Sequence, residues 1–212
     1  AALVSAPAAS AAPAPAKATA RNGITPMRVY PVHNGATGAQ RESAFLPVAC
    51  MHCDNPPCES VCPQQAVEHD EATGIVMQMV QRCLGCRYCM TACPYEHRHF
   101  VEDKLEHFDS GLTPHEQAGG EAGHDWQAKR DTVVKCTFCE HRLARAEGTG
   151  LKPGVDREVT PACVITCPAD AMTFGDLNDP GSKISRLIAE RHGFGLLPEA
   201  GTHPSIYYLP DR

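Results

Sequence analysis

Twelve cysteines in 212 residues fall into three sets of four. Cys83, Cys86, Cys89 and Cys93, followed by Pro94, give C-x2-C-x2-C-x3-C-P. Three cysteines on a tight loop reach three irons of one [4Fe–4S] cubane. The fourth sits further along, on a short helix, and serves the second cluster of a pair. Pro94 ends that helix. Gly85 lets the loop fold tightly with its amide toward an inorganic sulfur. The first set is Cys50, Cys53, Cys58 and Cys62, then Pro63, with spacing C-x2-C-x4-C-x3-C-P. Pro57 is placed to open a short helix carrying Cys58 and Cys62. Exchange of fourth cysteines then puts one cluster on Cys50, Cys53, Cys58 and Cys93. The other falls on Cys83, Cys86, Cys89 and Cys62. Each cluster cross-links both sets through iron.

The third set is Cys136, Cys139, Cys163 and Cys167, followed by Pro168, with a twenty-three-residue gap between its two pairs. No further set exists in this sequence to exchange with it. Cys167 either completes its own [4Fe–4S] cluster, the favoured reading, or points elsewhere. A [3Fe–4S] cluster is the alternative.

Disulfides and structural zinc are the competing explanations. Disulfides account for neither the repeated C-x-x-C pairs nor the C-x-x-x-C-P that completes each set. Zinc sites use C-x-x-C pairs but not three closely spaced cysteines followed by Cys-Pro. Eleven histidines accompany the cysteines. His97, His99, His115 and His124 cluster in or near a polar stretch, where exposed loop histidines are commoner than a metal site. His52 and His141 stand beside cluster cysteines, placed either to tune them by hydrogen bonds or simply to pack. No nucleophile with its base, phosphate loop or paired-carboxylate site is present, so no catalytic residue is expected.

The elements that must position these cysteines are short. The chain is 42% hydrophobic but only 6% aromatic, with eighteen prolines and seventeen glycines. Such a thin core needs a staple, which bound metal supplies. Residues 1–27 are expected to be a flexible Ala/Pro-rich segment. Residues 28–94 form a ferredoxin-like module with two clusters, residues 95–130 a polar surface loop, and residues 131–212 a second module with one cluster. The expected class is α+β: two loop-rich ferredoxin-like modules, short β-hairpins and short helices. Two short β runs flank a polar turn ending at Gly74, and Ala171–Phe174 is a similar run. In the tail, Asp179 is placed to cap a helix with Pro180 at its first position. Ile184, Leu187 and Ile188 share one face, and Gly193 is a stop. A last strand follows between Pro204 and Pro210.

A net charge of −6 with no basic run excludes a nucleic-acid footprint. No stretch is apolar and long enough to span a membrane. The small residues of 1–20 resemble the flank of an export cleavage site. The expectation is therefore a protein exported folded by a twin-arginine signal to the periplasmic or extracytoplasmic side, the alternative being cytoplasmic.

FLPVACMHCDNPPCESVCP, RCLGCRYCMTACPY, KCTFCEHR, PACVITCP and FGDLNDPGS resemble the iron–sulfur subunits of molybdopterin oxidoreductases. The dimethyl-sulfoxide, polysulfide and nitrate reductase β subunits are examples. The resemblance covers roughly residues 28–209. It implies two ferredoxin-like modules that pass electrons between a membrane quinone-linked subunit and a catalytic or haem subunit. It also implies a fourth, N-terminal cysteine set that exchanges with the third, where this sequence has only its cysteine-free start. A standard molybdenum partner is thereby put in question. The exported subunits of sulfur-metabolism membrane complexes, such as the one accompanying dissimilatory sulfite reductase, become the nearest expectation, with a multihaem cytochrome c as neighbour. The implied function is single-electron relay through three clusters in a respiratory membrane complex. A free-standing polyferredoxin is the alternative.

Overall fold

The computed structural model describes residues 2–5, 24–33, 43–102 and 130–210. His115 and His124, and most of the polar insert, lie outside the described residues. The elements are a mixture of short strands and short helices. Strands β2 (Met27–His33) and β3 (Ser43–Ala49) form an antiparallel ribbon that leads into the first cysteine set. Strands β4 (Val67–Asp70) and β5 (Ile75–Gln78) pair antiparallel, Val67 opposite Gln78 and Asp70 opposite Ile75. This is the hairpin expected on either side of Gly74. The first strand runs on to Asp70, so the turn itself is shorter than the polar stretch suggested.

Strand β1 (Ala2–Ser5) lies at the centre of a three-stranded sheet. It pairs antiparallel with β8 (Met172–Gly175) and parallel with β9 (Ile206–Tyr208). A flexible 1–27 segment is therefore corrected at both ends. Ala2–Ser5 fills the gap between two strands that are not bonded to each other, and Met27 already belongs to β2. Buried backbone groups must find partners, and the central position satisfies both edges of β1.

The start of the supposed polar loop is also core. His99–Phe100 forms β6, paired antiparallel with β7 (Val133–Val134). Tyr95, His97, Arg98, His99 and Val101 are all buried. This segment follows the second cysteine set directly, and its path is fixed by pairing across the insert. One hydrophobic cluster draws on Val48, Met51, Ile75 and Tyr95 from the first half and on Phe138, Phe174, Ile206 and Tyr208 from the second. The two halves thus share a core.

The tail helix spans Lys183–Glu190. Its cap is Ser182, whose hydroxyl accepts from the Ser185 N–H at 3.2 Å. Asp179 instead accepts from the Gly181 N–H in the turn before it. Ile184 is fully buried with Leu209, and Leu187 and Ile188 pack beside them. Burial of one such side chain contributes about 1.5–3 kcal/mol. The helix ends in a Schellman-type turn, the Gly193 N–H reaching back to the Ile188 carbonyl at 2.9 Å. His192, not Gly193, takes the left-handed position, with φ 52°.

Candidate functional site

The three cysteine sets share a local design. In each opening C-x-x-C, the second intervening residue has a left-handed backbone: His52 (φ 44°), Gly85 (φ 73°) and Phe138 (φ 52°). That curl turns successive amides toward one side and makes an anion-binding concavity. A Cβ on Gly85 would collide with the Asp131 carbonyl oxygen, so only glycine fits there. At His52 and Phe138 the strain is tolerated without glycine, and the sequence gives no mark of it. Each Cys-Pro is also followed by a left-handed residue, Gln65, Glu96 or Asp170. The N–H of each bonds back to the carbonyl of Cys62, Cys93 or Cys167, at 3.2 Å in all three turns. The turns after Cys62 and Cys167 add an N–H···S bond, from Ala66 at 3.2 Å and from Ala171 at 3.4 Å.

One-turn helices carry the inner cysteines. Pro57–Ser60 holds Cys58, Tyr88–Ala92 holds Cys89, and Ala162–Ile165 holds Cys163. The first opens with Pro57 at its first position, and Cys62 lies just past its end. Cys93 terminates the second, in extended backbone ahead of Pro94.

Two small cavities result. One is lined by Cys50, Cys53, Cys58 and Cys93 together with Tyr95, Val76 and Arg98. The other is lined by Cys62, Cys83, Cys86 and Cys89 together with Gln78, Leu84 and Val133. The two cavities are alike in size. Cys62 and Cys93 therefore each stand among the cysteines of the opposite set. In the third set, Cys163 lies within electrostatic reach of Cys139 and Cys167, and Cys136 within reach of Cys163 and Cys50.

All twelve thiols are free. Among the described residues, no three His, Cys, Asp or Glu side chains converge tightly enough to hold a single metal ion. A group of four cysteines around one cavity suits a cubane. Burial pushes the Cys53 and Cys136 thiols up to about 12 and Cys58 up to about 11. Cys89 and Cys163 are raised for the same reason. Free thiolates are thus disfavoured here, and iron is what would stabilise them. Arg98 provides a second sign of fit. It is 3% exposed, and its Nε and Nη1 have no partner. A buried cation beside four thiols calls for an anionic occupant.

The tail clamps the first loop. Asp54 and Asn55 N–H groups donate to the carbonyls of His203 and Thr202, and Ser205 N–H donates to Met51, at 2.9–3.1 Å. The Tyr95 hydroxyl meets Thr202 Oγ1 at 2.6 Å, and Thr202 lies beside the Cys53 thiol. His52 is fully buried. Its ring stacks on Phe138 with centroids 3.7 Å apart, and its Nδ1 accepts from the Val76 N–H at 3.1 Å. His52 both packs and hydrogen-bonds: the stack on Phe138 joins the first cysteine loop to the third, and the hydrogen bond ties that loop to Val76.

His97 and His99 are buried, which corrects the reading of exposed loop histidines. Their rings meet edge to face at 6.3 Å. Burial, with His99 and Arg28 nearby, brings His97 down to about 4, and burial lowers His99 too. Unfolded histidine takes its proton near pH 6.5. Below that pH the unfolded chain binds more protons, so stability falls as pH drops from about 6.5 to about 4. For His97 the loss is about 2 kcal/mol at pH 5. We expect the thermal midpoint to fall between pH 7 and pH 5, and His97→Gln to flatten that fall. An unchanged slope in the variant contradicts this assignment.

Residues 41–110 match the family model of a 4Fe–4S dicluster domain. The chain is 43% identical over 185 residues to a dimethyl sulfoxide reductase iron–sulfur protein of Halobacterium salinarum, covering 87% of this chain and 62% of that one. It is 37% identical over 210 residues to the menaquinone reductase iron–sulfur cluster-binding subunit of Nitratidesulfovibrio vulgaris, covering 95% and 79%. It is 35% identical over 187 residues to the arsenate respiratory reductase iron–sulfur subunit of a Shewanella species, covering 78% and 74%. The chain thus spans 62% to 79% of the length of these relatives.

Proposed function

The chain belongs to the family of iron–sulfur subunits of the molybdopterin oxidoreductases and their relatives, and from that premise we propose that it relays single electrons within a membrane-associated respiratory complex. The observation that carries this reading is the pair of cavities in which Cys62 and Cys93 have changed places. Cys50, Cys53, Cys58 and Cys93 hold one [4Fe–4S] cluster, and Cys62, Cys83, Cys86 and Cys89 hold the second. Cys136, Cys139, Cys163 and Cys167 hold the third within the second ferredoxin-like module. When bound, each cluster takes up and gives back one electron.

The residues of the chain supply spacing, dryness and access. The cavity of Cys50, Cys53, Cys58 and Cys93 is central. It shares Arg98 with the second site and reaches the third through the His52–Phe138 stack. The second site opens to the surface, since Cys86 is exposed and Leu84 and Tyr88 beside it are 56% and 64% exposed. An exposed apolar rim at one end of the series suits exchange with a partner subunit. No described helix is long and apolar enough to cross a membrane. The integral, quinone-linked component is assigned to a partner subunit. A multihaem cytochrome c or a catalytic oxidoreductase subunit takes the other end.

Native membranes test this reading. We expect the tagged chain to purify from the membrane fraction with an integral partner, and added quinol to bleach its visible absorption. A chain found alone in the soluble fraction, unresponsive to quinol in membranes, would instead be a free-standing carrier.

A further inference from the structure

Among the described residues two cationic side chains of Arg and Lys are buried, and each stands between two cysteine sites. Arg98 and Lys135 are 3% and 7% exposed. Among the described residues no aspartate or glutamate is buried, and the Arg ion pairs, Arg87–Glu102 and Arg130–Asp131, are at the surface. Burying a cation is costly unless an anion is buried with it. Within the described residues, the buried groups that can be anionic near these side chains are the cysteines.

Arg98 lines the cavity of Cys50, Cys53, Cys58 and Cys93. It also lies within electrostatic reach of the Cys89 thiol of the second site. Its Nη2 donates to Gln78 Oε1, and Gln78 lines that second cavity. Burial works against its charge, and the thiols of Cys58, Cys89 and Cys50 outweigh it. Lys135 occupies the other gap. Its Nζ donates to the carbonyl of Val76, which lines the first cavity. It donates also to the carbonyl of Cys136, at 2.8 Å. Its charge acts on Cys58 in the first site and on Cys136 in the third.

We propose that Arg98 and Lys135 set the reduction potentials of the sites in pairs, Arg98 for the first and second and Lys135 for the first and third. Reduction adds negative charge to a site, and a fixed cation at close range in a poorly polarisable interior favours it. Only the central site lies beside both cations, so its potential is raised twice. Neighbouring sites share a cation, so the charge that favours an electron on one also favours it on the next.

The inference rests on the reading of the three sites as clusters, and the iron and sulfide content of the unaltered chain tests that reading separately. The full chain is prepared anaerobically as Arg98→Gln, Arg98→Lys and Lys135→Met, and each site is titrated by electron paramagnetic resonance. Sites are assigned with single cysteine variants. Arg98→Gln should lower the first and second potentials and leave the third in place. At a fixed potential the reduced-to-oxidised ratio of each should fall about tenfold, equal to about 59 mV for a one-electron couple. Arg98→Lys should recover most of that shift. Lys135→Met should lower the first and third and spare the second. Should Arg98→Gln fail to hold iron, the lysine variants at each gap decide through the same pairwise pattern. Intact iron with unmoved potentials overturns the proposal, as does a shift common to all three sites. A wild-type chain without clusters overturns the underlying reading instead.

Discussion

Replacing Cys93 with alanine is expected to empty the site of Cys50, Cys53 and Cys58 and to spare the site of Cys83, Cys86 and Cys89, its neighbours in sequence. The reason is the placement of Cys93 in the wall of the first cavity, beside Tyr95 and Arg98. About one third of the iron should be lost. Electron flow should fall far more, because the emptied site is the central one of three. Cys62→Ala is the reciprocal case and should empty the second site. Iron analysis with electron paramagnetic resonance reads both variants. Loss of the second site from Cys93→Ala would mean that each set closes on itself.

The second large effect concerns Cys167. Its sulfur accepts from the Ala171 N–H, and it interacts with Cys163 of its own set. Cys167→Ala is therefore expected to convert the third site to a three-iron form or to empty it. The first and second sites should be unchanged. The oxidised variant should either gain a three-iron resonance or lose about four irons per chain. Full iron content with an unaltered spectrum would mean that Cys167 does not close the third site.

Where the sequence carried a local signal, the fold could be anticipated. The alternating run around Gly74 becomes the Val67–Gln78 hairpin, and the face of Ile184, Leu187 and Ile188 is the one the tail helix buries. Gly85 marks its turn because no other residue fits against Asp131. His52 and Phe138 adopt the same turn without glycine. Their ring stack and the surrounding packing hold a conformation that local propensity disfavours. The burial of Arg98 and Lys135 was equally hidden, since a lone cation in a polar stretch ordinarily faces water. Their environment draws on Cys50, Cys58 and Val76, which are distant from both in sequence. Strand β1 had no signal of its own either. Four residues next to an Ala/Pro run become a strand only because β8 and β9 leave a central place between them. The cap of the tail helix moved from Asp179 to Ser182 because Asp179 is engaged by the preceding turn.

The central claim is that this one chain holds three cubanes. It is tested most directly by iron and acid-labile sulfide measured per chain on the full-length protein purified without oxygen. We expect about twelve of each, with a brown colour that bleaches on reduction. A colourless protein carrying stoichiometric zinc would contradict it.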